Sequence, residues 1–208
     1  MDSYHDDYFK EDRSRDIVWQ EIVKYLAKYT GFPQSVLELG AGYCSYINAI
    51  DCPVKAAVDI WPEFSRYAEN GISCLVADVR KEMNFKRKFD LIMASNLLEH
   101  LEMEEARELL HRCHRLLNRN GRLVLIQPNF KLCSLRYFDD YTHKTVFTDV
   151  TLRTVVEKAK FRIIRLEQGF MPLTMKSRLP KWRFLVRLYF NLPVRFLAGQ
   201  MLLVAQKE

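Results

Sequence analysis

The sequence predicts an α/β fold in which helices pack on both faces of a mainly parallel β-sheet. The first indication is an apolar segment over 36–39 that ends in a Gly-x-Gly turn formed by Gly40 and Gly42. An uninterrupted apolar run before a tight turn is typical of a buried parallel strand. The second indication is that Asp59 and Asp78 each stand at or near the carboxyl end of another short apolar segment. Open α/β sheets bind their ligands at this edge, so the pattern predicts a nucleotide-type site there.

Apolar periodicity places the elements along the chain in a largely alternating order. Residues 1–13 are polar and predict a flexible segment, in which Tyr4, Tyr8 and Phe9 could cover a site as a flap. An Asn-Gly turn at 120–121 is expected to separate a helix from the strand that follows it. Helices are predicted over 14–29, 43–50, 62–70, 102–117 and 150–160, strands over 36–39, 54–60, 73–79, 89–95, 122–128, 161–170 and 200–207, and an irregular segment over 129–147.

The length and composition indicate a single domain spanning 1–208. The chain has 208 residues, of which 49% are hydrophobic and 28% are charged, and these values are ordinary for a globular protein. No apolar run approaches the roughly 18 residues that cross a bilayer, and the acidic N-terminus is unlike a secretory signal. The five cysteines are scattered without a Cys-x-x-Cys pair, which favours reduced thiols in a cytoplasmic protein over disulfides or a metal site.

The glycine turn differs from a dinucleotide-binding fingerprint in two ways. Glu38 lies inside the strand just before the glycines, where its carboxylate would repel a pyrophosphate but attract an ammonium group. Ser45 also stands where the fingerprint requires glycine or alanine. Gly40 and Gly42 lack a Cβ, so the backbone can approach a ligand closely. The turn therefore predicts a ligand that carries a positive charge rather than a diphosphate.

The end of the second predicted strand suits a nucleoside. A carboxylate at this position, here Asp59, can accept two hydrogen bonds from ribose hydroxyls. Ile60 and Trp61 follow directly and could flank an adenine ring. A simple strand-end turn is the alternative interpretation of Asp59.

Three segments resemble the class I S-adenosylmethionine (SAM)-dependent methyltransferases. The stretch from Glu38 to Cys44 resembles their motif I, with Cys44 in place of the usual third glycine. The segments 89–92 (Phe-Asp-Leu-Ile) and 98–101 (Leu-Glu-His-Leu) resemble the motif around strand 4 in small-molecule methyltransferases of the ubiquinone-biosynthesis kind. The run 140–143 (Asp-Tyr-Thr-His) resembles a loop that closes over the acceptor in many bacterial sugar and natural-product methyltransferases.

The resemblance covers roughly 14–170 and the last strand, and it implies both a fold and a cofactor. The fold is a doubly wound, Rossmann-like sheet of seven strands in the order 3-2-1-4-5-7-6, with strand 7 antiparallel and helices on both faces. SAM would lie over the carboxyl ends of strands 1 to 4 and leave as S-adenosylhomocysteine (SAH), and Asp78 would meet the adenine amino group. The candidate cofactor-binding residues are Glu38, Gly40, Ala41, Gly42, Asp59, Ile60, Trp61, Asp78, Val79 and Asn96.

The acceptor is expected to be a hydroxyl of a sugar, glycan precursor or natural product, free or linked to a phosphate or lipid. The two-proline signature of amino-methyltransferases is absent, which argues against adenine-N6 or glutamine acceptors. His143 is a candidate base because an unperturbed imidazole titrates near neutral pH, and Asp139 or Asp140 could orient it. His100 is the second catalytic candidate. The alternative interpretation is that each histidine only stabilises the loop in which it lies. No metal is expected, because the sulfonium of SAM is already a leaving group.

The segment 171–199 lengthens the connection between the last two strands to about thirty residues, well beyond ordinary loops. It contains six basic residues and no acidic residue, interleaved with large aromatic and aliphatic side chains. A helix over about 180–191 could lie in a membrane interface at the inner face of the membrane, hold a substrate phosphate, or form a dimer contact. It could equally pack on the sheet with its cations in water. Nucleic acid is disfavoured because no recognised motif accompanies the charge.

Two other classes of protein share part of this pattern. An NAD(P)-dependent reductase would explain the Gly-x-Gly turn and Asp59, but not Glu38 or Asp78, and no suitably placed Tyr-x-x-x-Lys pair is present. A catalytically silent SAM-binding or interaction module on the same fold would be favoured by a side chain filling the acceptor cavity. An open cavity would argue against it.

Overall fold

The computed structural model describes residues 14–174, 182–192 and 195–208. The flap predicted over 1–13 therefore lies outside the described residues, as do parts of the 171–199 segment. Within the described residues, no helix is long and apolar enough to span a membrane.

Helices and strands largely follow the predicted order. The α-helices are α1 (Ser14–Thr30), α2 (Ser45–Ala49), α3 (Met103–Leu116), α4 (Phe130–Cys133), α5 (Asp149–Lys158) and α6 (Arg183–Asn191), and 3-10 turns span Pro62–Tyr67, Leu98–His100 and Ser134–Asp139. The strands are β1 (Ser35–Leu39), β2 (Val54–Asp59), β3 (Ser73–Val76), β4 (Phe89–Ser95), β5 (Leu117–Pro128), β6 (Phe161–Pro172) and β7 (Ala198–Lys207).

The strands form one seven-stranded sheet in the order β3-β2-β1-β4-β5-β7-β6, which confirms the predicted topology. Strand β1 is parallel to both neighbours, with Leu37 opposite Ala56 of β2 and Ile92 of β4. Strand β7 is antiparallel to β5 and β6. This arrangement places the carboxyl ends of β1, β2 and β4 at one edge of the sheet, where the site is expected.

Two apolar cores lie on opposite faces of the sheet. One contains Leu109 of α3 and Leu152 of α5. The other contains Ile22 of α1, Ile47 of α2 and Phe190 of α6. All five residues of β1 are buried, as expected for a central parallel strand covered on both faces.

Three local predictions differ from the structure. The helix predicted over 62–70 is a 3-10 turn that ends at Tyr67, and the strand predicted over 73–79 ends at Val76. The segment 129–147 contains α4 and a 3-10 turn instead of being wholly irregular.

The residues before the predicted strand 5 belong to that strand and do not form a separate turn. β5 begins at Leu117 and contains a register shift in its pairing with β4. Asn120, not Gly121, takes the left-handed backbone conformation, with φ 64°. Glycine is required at position 121 because a side chain does not fit there: a Cβ would lie 2.9 Å from the carbonyl oxygen of Asn118.

The basic residues of α6 are in contact with α1. Arg187 Nε donates to Glu21 Oε2 at 3.0 Å, and Arg183 Nη2 donates to Gln20 Oε1 at 2.6 Å. Arg183 and Arg187 are therefore hydrogen-bonded within the protein, although the sequence suggested that they could bind an anionic ligand. Lys176, Arg178 and Lys181 lie outside the described residues.

A buried network centred on Glu167 attaches the end of the insertion to the sheet and α1. The Glu167 carboxylate accepts hydrogen bonds from Tyr25 Oη at 2.5 Å, from Arg165 Nε at 2.9 Å and from Arg195 Nη1. Arg195 also donates to the carbonyl oxygen of Phe190 at 2.8 Å. Burial raises the pKa of Glu167, but its three hydrogen-bond donors outweigh burial and leave the pKa below its usual value.

We expect Arg195→Met to lower the free energy of unfolding by about 3 kcal/mol, because it leaves the Glu167 carboxylate buried with fewer partners. Urea denaturation at neutral pH measures the loss. Since the folded-state pKa of Glu167 is lowered, this stabilisation is present above the unfolded pKa of about 4.3 and is lost as the pH falls. The difference in the free energy of unfolding between the parent and the variant should therefore become smaller at acidic pH.

The matched control is Arg153→Met, which removes an exposed arginine from α5. It should change stability by less than about 0.5 kcal/mol. Equal effects of the two substitutions would contradict a structural role for the Glu167 network.

Candidate active site

A cavity of about 610 Å³ opens at the carboxyl ends of the parallel strands. The ten residues predicted to bind the cofactor all line it, together with His100. They come from four separate loops, so the sheet topology is what brings them together. His143 is not among the described residues that line this cavity.

The glycine turn after β1 has a positive φ angle at every second residue from 40 to 44. Gly40, Gly42 and Cys44 all have positive φ, at 69°, 48° and 56° respectively. Cys44 therefore adopts the conformation for which glycine is normally selected, at a cost of about 1–2 kcal/mol. Its fully buried side chain packs with Sγ 3.5 Å from the carbonyl oxygen of Phe64. The turn consequently keeps its shape without the third glycine.

Asp59 holds this turn against the end of β2. Its Oδ2 accepts a hydrogen bond from the Gly42 amide and its Oδ1 accepts one from the Trp61 amide, both at 2.8 Å. The amides of Gly40 and Ala41 both donate to the same β2 carbonyl, at 2.9 and 3.1 Å. Asp59 thus organises the cavity wall, a role that the sequence pattern alone did not indicate.

Glu38 lies at the base of the cavity and is almost completely buried. Its Oε2 accepts a hydrogen bond from the Ile47 amide in α2 at 3.0 Å. Burial raises the pKa of Glu38 well above its ordinary value, and the nearby Asp59 carboxylate acts in the same direction. A cationic ligand beside Glu38 would favour the charged carboxylate.

Asp78 is paired with Arg80, a residue that sequence analysis missed. The guanidinium donates to both carboxylate oxygens, with Nη2 2.7 Å from Oδ2. These hydrogen bonds from Arg80 lower the pKa of Asp78. Arg80 also lines the cavity, with Nη1 3.7 Å from Glu105 Oε1.

An aromatic cluster fixes the position of Trp61. Its ring stacks on Tyr67 with the centroids 5.5 Å apart, and Tyr43 meets it edge-on at 5.4 Å. Tyr43 and Trp61 both line the cavity. The sequence indicated Trp61 but not its aromatic neighbours, because their contact depends on the path of the 3-10 turn.

The opposite wall of the cavity is formed by His100 and the loop after α4. His100 Nδ1 lies 2.9 Å from Thr142 Oγ1, and the Thr142 hydroxyl donates to Asp140 Oδ1 at 2.6 Å. Tyr141, Thr142 and Lys144 also line this wall. Burial lowers the pKa of His100 to about 4, and the adjacent His143 adds to the effect.

His143 lies behind His100, with the ring centroids 5.0 Å apart. Its Nδ1 lies 2.6 Å from the Tyr137 carbonyl oxygen, and its Nε2 lies 3.9 Å from Asp140 Oδ2. Asp139, the other predicted orienting residue, instead pairs with Arg136 at 3.2 Å. The structure therefore brings His100, rather than His143, to the cavity surface.

Further cavity residues come from the helices. Arg15 and Trp19 of α1 and Tyr46 of α2 line the cavity. Trp19 and Tyr46 meet edge-to-face with their centroids 5.9 Å apart. Nothing in the sequence distinguishes them from ordinary residues of a helix that packs on the sheet.

Residues 37–125 match a family model described as a methyltransferase domain. This range includes β1, β2 and β4 and all ten of the predicted cofactor-binding residues. No curated protein sequence matches the chain significantly.

Solved structures of several methyltransferases share the fold. A SAM-dependent methyltransferase from Archaeoglobus fulgidus is 20% identical over 91% of this chain and 94% of its own, with a TM-score of 0.63. The N-methyltransferase NodS from Bradyrhizobium japonicum, solved with SAH, is 16% identical over 98% of this chain and 91% of its own, with a TM-score of 0.65. The plantazolicin methyltransferase BpumL, solved with SAH and a monoazolic desmethylPZN analog, is 14% identical over 100% of this chain and 88% of its own, with a TM-score of 0.68.

Residues 37–125 are thus similar to a methyltransferase domain, and the fold around the cavity is that of solved SAM-dependent methyltransferases.

We expect Gly40→Ala to weaken SAH binding about tenfold or more. A Cβ at this position would lie 3.2 Å from Leu97 Cδ1, on a backbone with φ +69°, so the cavity wall must shift. The ligand-induced rise in melting temperature measures the effect. Gly71→Ala is the control, since its φ of +90° imposes backbone strain with no atom within 4 Å of the added Cβ. Equal loss of SAH binding in both variants would contradict a role for Gly40 in the cavity.

Proposed function

We propose that this enzyme transfers the methyl group of SAM to a hydroxyl oxygen of a small molecule, such as a sugar, a glycan precursor or another metabolite. The observation that carries the proposal is the two-sided cavity. All ten candidate cofactor residues line one part of it, while His100, Tyr141, Thr142 and Lys144 line another. The whole chain, 1–208, acts as a single domain in this proposal.

The cofactor half of the cavity offers a partner for each part of SAM. Glu38 and the glycine turn would receive the methionine end, with the buried carboxylate facing the ammonium group. Asp59 would accept from the ribose hydroxyls, since each of its oxygens has a second lone pair beyond the bond it accepts from the backbone. Ile60 and Trp61 would flank the adenine.

The remaining cofactor candidates belong to the edges of the site. Asp78 and Val79 would meet the edge of the adenine ring, with Arg80 holding the Asp78 carboxylate in place. Ala41 is part of the glycine turn. Asn96, which follows β4 with φ 49°, lines the cavity.

The reaction needs alignment and the removal of one proton. The acceptor oxygen forms a bond to the methyl carbon as the bond between that carbon and sulfur breaks, which releases SAH. The hydroxyl proton passes to the imidazole of His100, and Thr142 and Asp140 orient that ring. His143, the base predicted from the sequence, lies behind His100 and acts in this proposal as a positioning residue for that ring.

The two other classes considered from the sequence are not favoured. A reductase is not favoured because the chain matches a methyltransferase domain and shares its fold with methyltransferases. A silent module is not favoured because the described side chains leave a cavity of about 610 Å³ open.

We expect His100→Ala to reduce methyl transfer by about 100-fold or more while SAH binding is retained. The assay follows label from methyl-tritiated SAM into sugars, nucleotide-linked sugars and other hydroxylated metabolites. His111→Ala, on the exposed face of α3, is the control and should retain activity. Label entering only amine acceptors would contradict the proposed hydroxyl chemistry.

The insertion carries an exposed apolar edge formed by Trp182, Phe184, Leu188, Phe196 and Leu197. These side chains are between 54% and 79% exposed. Leu197 also has a positive φ of 58°, an unfavourable conformation for a leucine, in a position that leaves its side chain in solvent. Apolar residues gathered in this way indicate an interaction surface.

We assign this apolar edge to the surface of a membrane with anionic lipids. The surrounding segment contains six basic residues and no acidic ones, a positive net charge that complements anionic headgroups although Arg183, Arg187 and Arg195 are hydrogen-bonded within the protein. Each basic residue near such a surface contributes about 1 kcal/mol. The proposal places the enzyme in the cytoplasm, in contact with the inner face of the membrane, where a lipid-linked acceptor would be accessible.

We expect the protein to float with vesicles that contain phosphatidylglycerol and not with pure phosphatidylcholine. The double variant Phe184→Glu, Leu188→Glu should lose this binding, because it places charges in the apolar edge. Val150→Glu, which alters an exposed apolar residue of α5, is the control. A concentration-dependent dimer that the double variant abolishes, without vesicle binding by the parent, would contradict the assignment.

A further inference from the structure

Three side chains with metal-ligating atoms meet behind the acceptor wall of the cavity. Glu99 and His100 lie in the 3-10 turn after β4. The amides of Lys144 and Thr145 donate to the Glu99 carbonyl oxygen at 2.8 and 3.1 Å, which folds the His143 loop back over this turn. One potential ligand atom from each of Glu99, His100 and His143 then lies within 4.8 Å of the other two.

The Glu99 carboxylate is the unusual member of this cluster. The residue is only 1% exposed, and among the described residues no other residue donates a hydrogen bond to either carboxylate oxygen. Burial raises the pKa of Glu99 to about 8, the nearby Asp140 acts in the same direction, and the Glu99 backbone amide opposes them. A buried carboxylate that stays charged costs several kcal/mol without full compensation, so a bound cation would stabilise the charged form.

The hydrogen bonds of the two imidazoles hold both rings in one tautomer. His143 Nδ1 faces the Tyr137 carbonyl oxygen, which only accepts, so this nitrogen carries the hydrogen. The Thr142 hydroxyl donates to Asp140 and therefore accepts from His100 Nδ1. In the neutral rings, Nε2 is then the nitrogen with the lone pair. Histidines that bind metals are commonly oriented through the other ring nitrogen in this way.

We propose that Glu99, His100 and His143 bind one divalent transition-metal ion at the acceptor side of the cavity. Two imidazole nitrogens and one carboxylate oxygen suit zinc, iron or manganese better than magnesium or calcium. Bonds of about 2.0–2.2 Å would bring the three ligand atoms closer together than the 4.8 Å within which they now lie, so the side chains would have to close on the ion. His100 lines the cavity, so the ion and an acceptor oxygen could reach each other there.

This metal site departs from the expectation of no metal drawn from the sequence. The scattered cysteines gave no indication of a site, and the two histidines are 43 residues apart in the chain. Its catalytic role rests on the proposed function, whereas metal binding itself does not. With the ion bound, His100 is a ligand and not a base, and the ion would lower the pKa of the acceptor hydroxyl so that its proton can pass to solvent.

The test is titration of the chelator-treated, full-length protein with Co²⁺ and Zn²⁺. We expect one Co²⁺ per chain with visible absorption bands that Zn²⁺ abolishes. Glu99→Gln should weaken binding by about 100-fold or more, because it replaces a ligand by a neutral amide. Glu104→Gln and His111→Ala, both on α3 away from the cluster, should bind like the parent.

Protein stability and SAH binding are measured on the same samples. Glu99→Gln keeps the size of the buried side chain, so the metal-free variant should be about as thermally stable as the parent. Loss of Co²⁺ binding in a folded variant that still binds SAH supports the site. Absence of stoichiometric binding in the parent, or equal binding in Glu99→Gln, overturns it while leaving methyl transfer intact. Failure of the parent to bind SAH would instead contradict the proposed function.

Discussion

The carboxylate of Asp59 is the interaction on which the rest of the site depends. It accepts from the amides of Gly42 and Trp61, and so it joins the turn after β1 to the end of β2. The glycine turn has three positive φ angles, one of them at the non-glycine residue Cys44. Glu38 accepts a hydrogen bond from the Ile47 amide of α2, which follows the turn. Hydrogen bonds within the chain therefore fix the shape of the cofactor half.

Much of this arrangement was predictable because the signals were local. Each strand is a short apolar segment with a turn or an acid at its carboxyl end, and the resemblance supplied the strand order. The cofactor candidates are near neighbours of those strand ends, so knowing the strands was enough to place them on one cavity. The Asn-Gly pair was misjudged because Asn120 adopts the left-handed conformation, while Gly121 is needed only for space.

The features that the sequence did not indicate all depend on long-range packing. His143 lies behind His100 because its loop hydrogen-bonds to the Glu99 carbonyl, which no pattern within the loop predicts. The pairing of Arg187 with Glu21 joins residues 166 positions apart, so charge composition alone suggested free cations. A buried carboxyl lies at the cavity, Glu38, and another lies behind its acceptor wall, Glu99. In the two proposals a cationic ligand stabilises the charged form of each, the SAM ammonium for Glu38 and a metal ion for Glu99.

The measurement that most directly tests the central claim is calorimetric titration with SAM, SAH and NADH, repeated on Asp59→Ala. Binding of SAM and SAH by the parent, with no heat from NADH and with the affinity lost in a folded Asp59→Ala variant, is the predicted result. Because Asp59 both shapes the turn and faces the proposed ribose position, the loss should be at least about 100-fold. Binding of NADH alone, or unchanged SAH binding by the variant, would contradict the account.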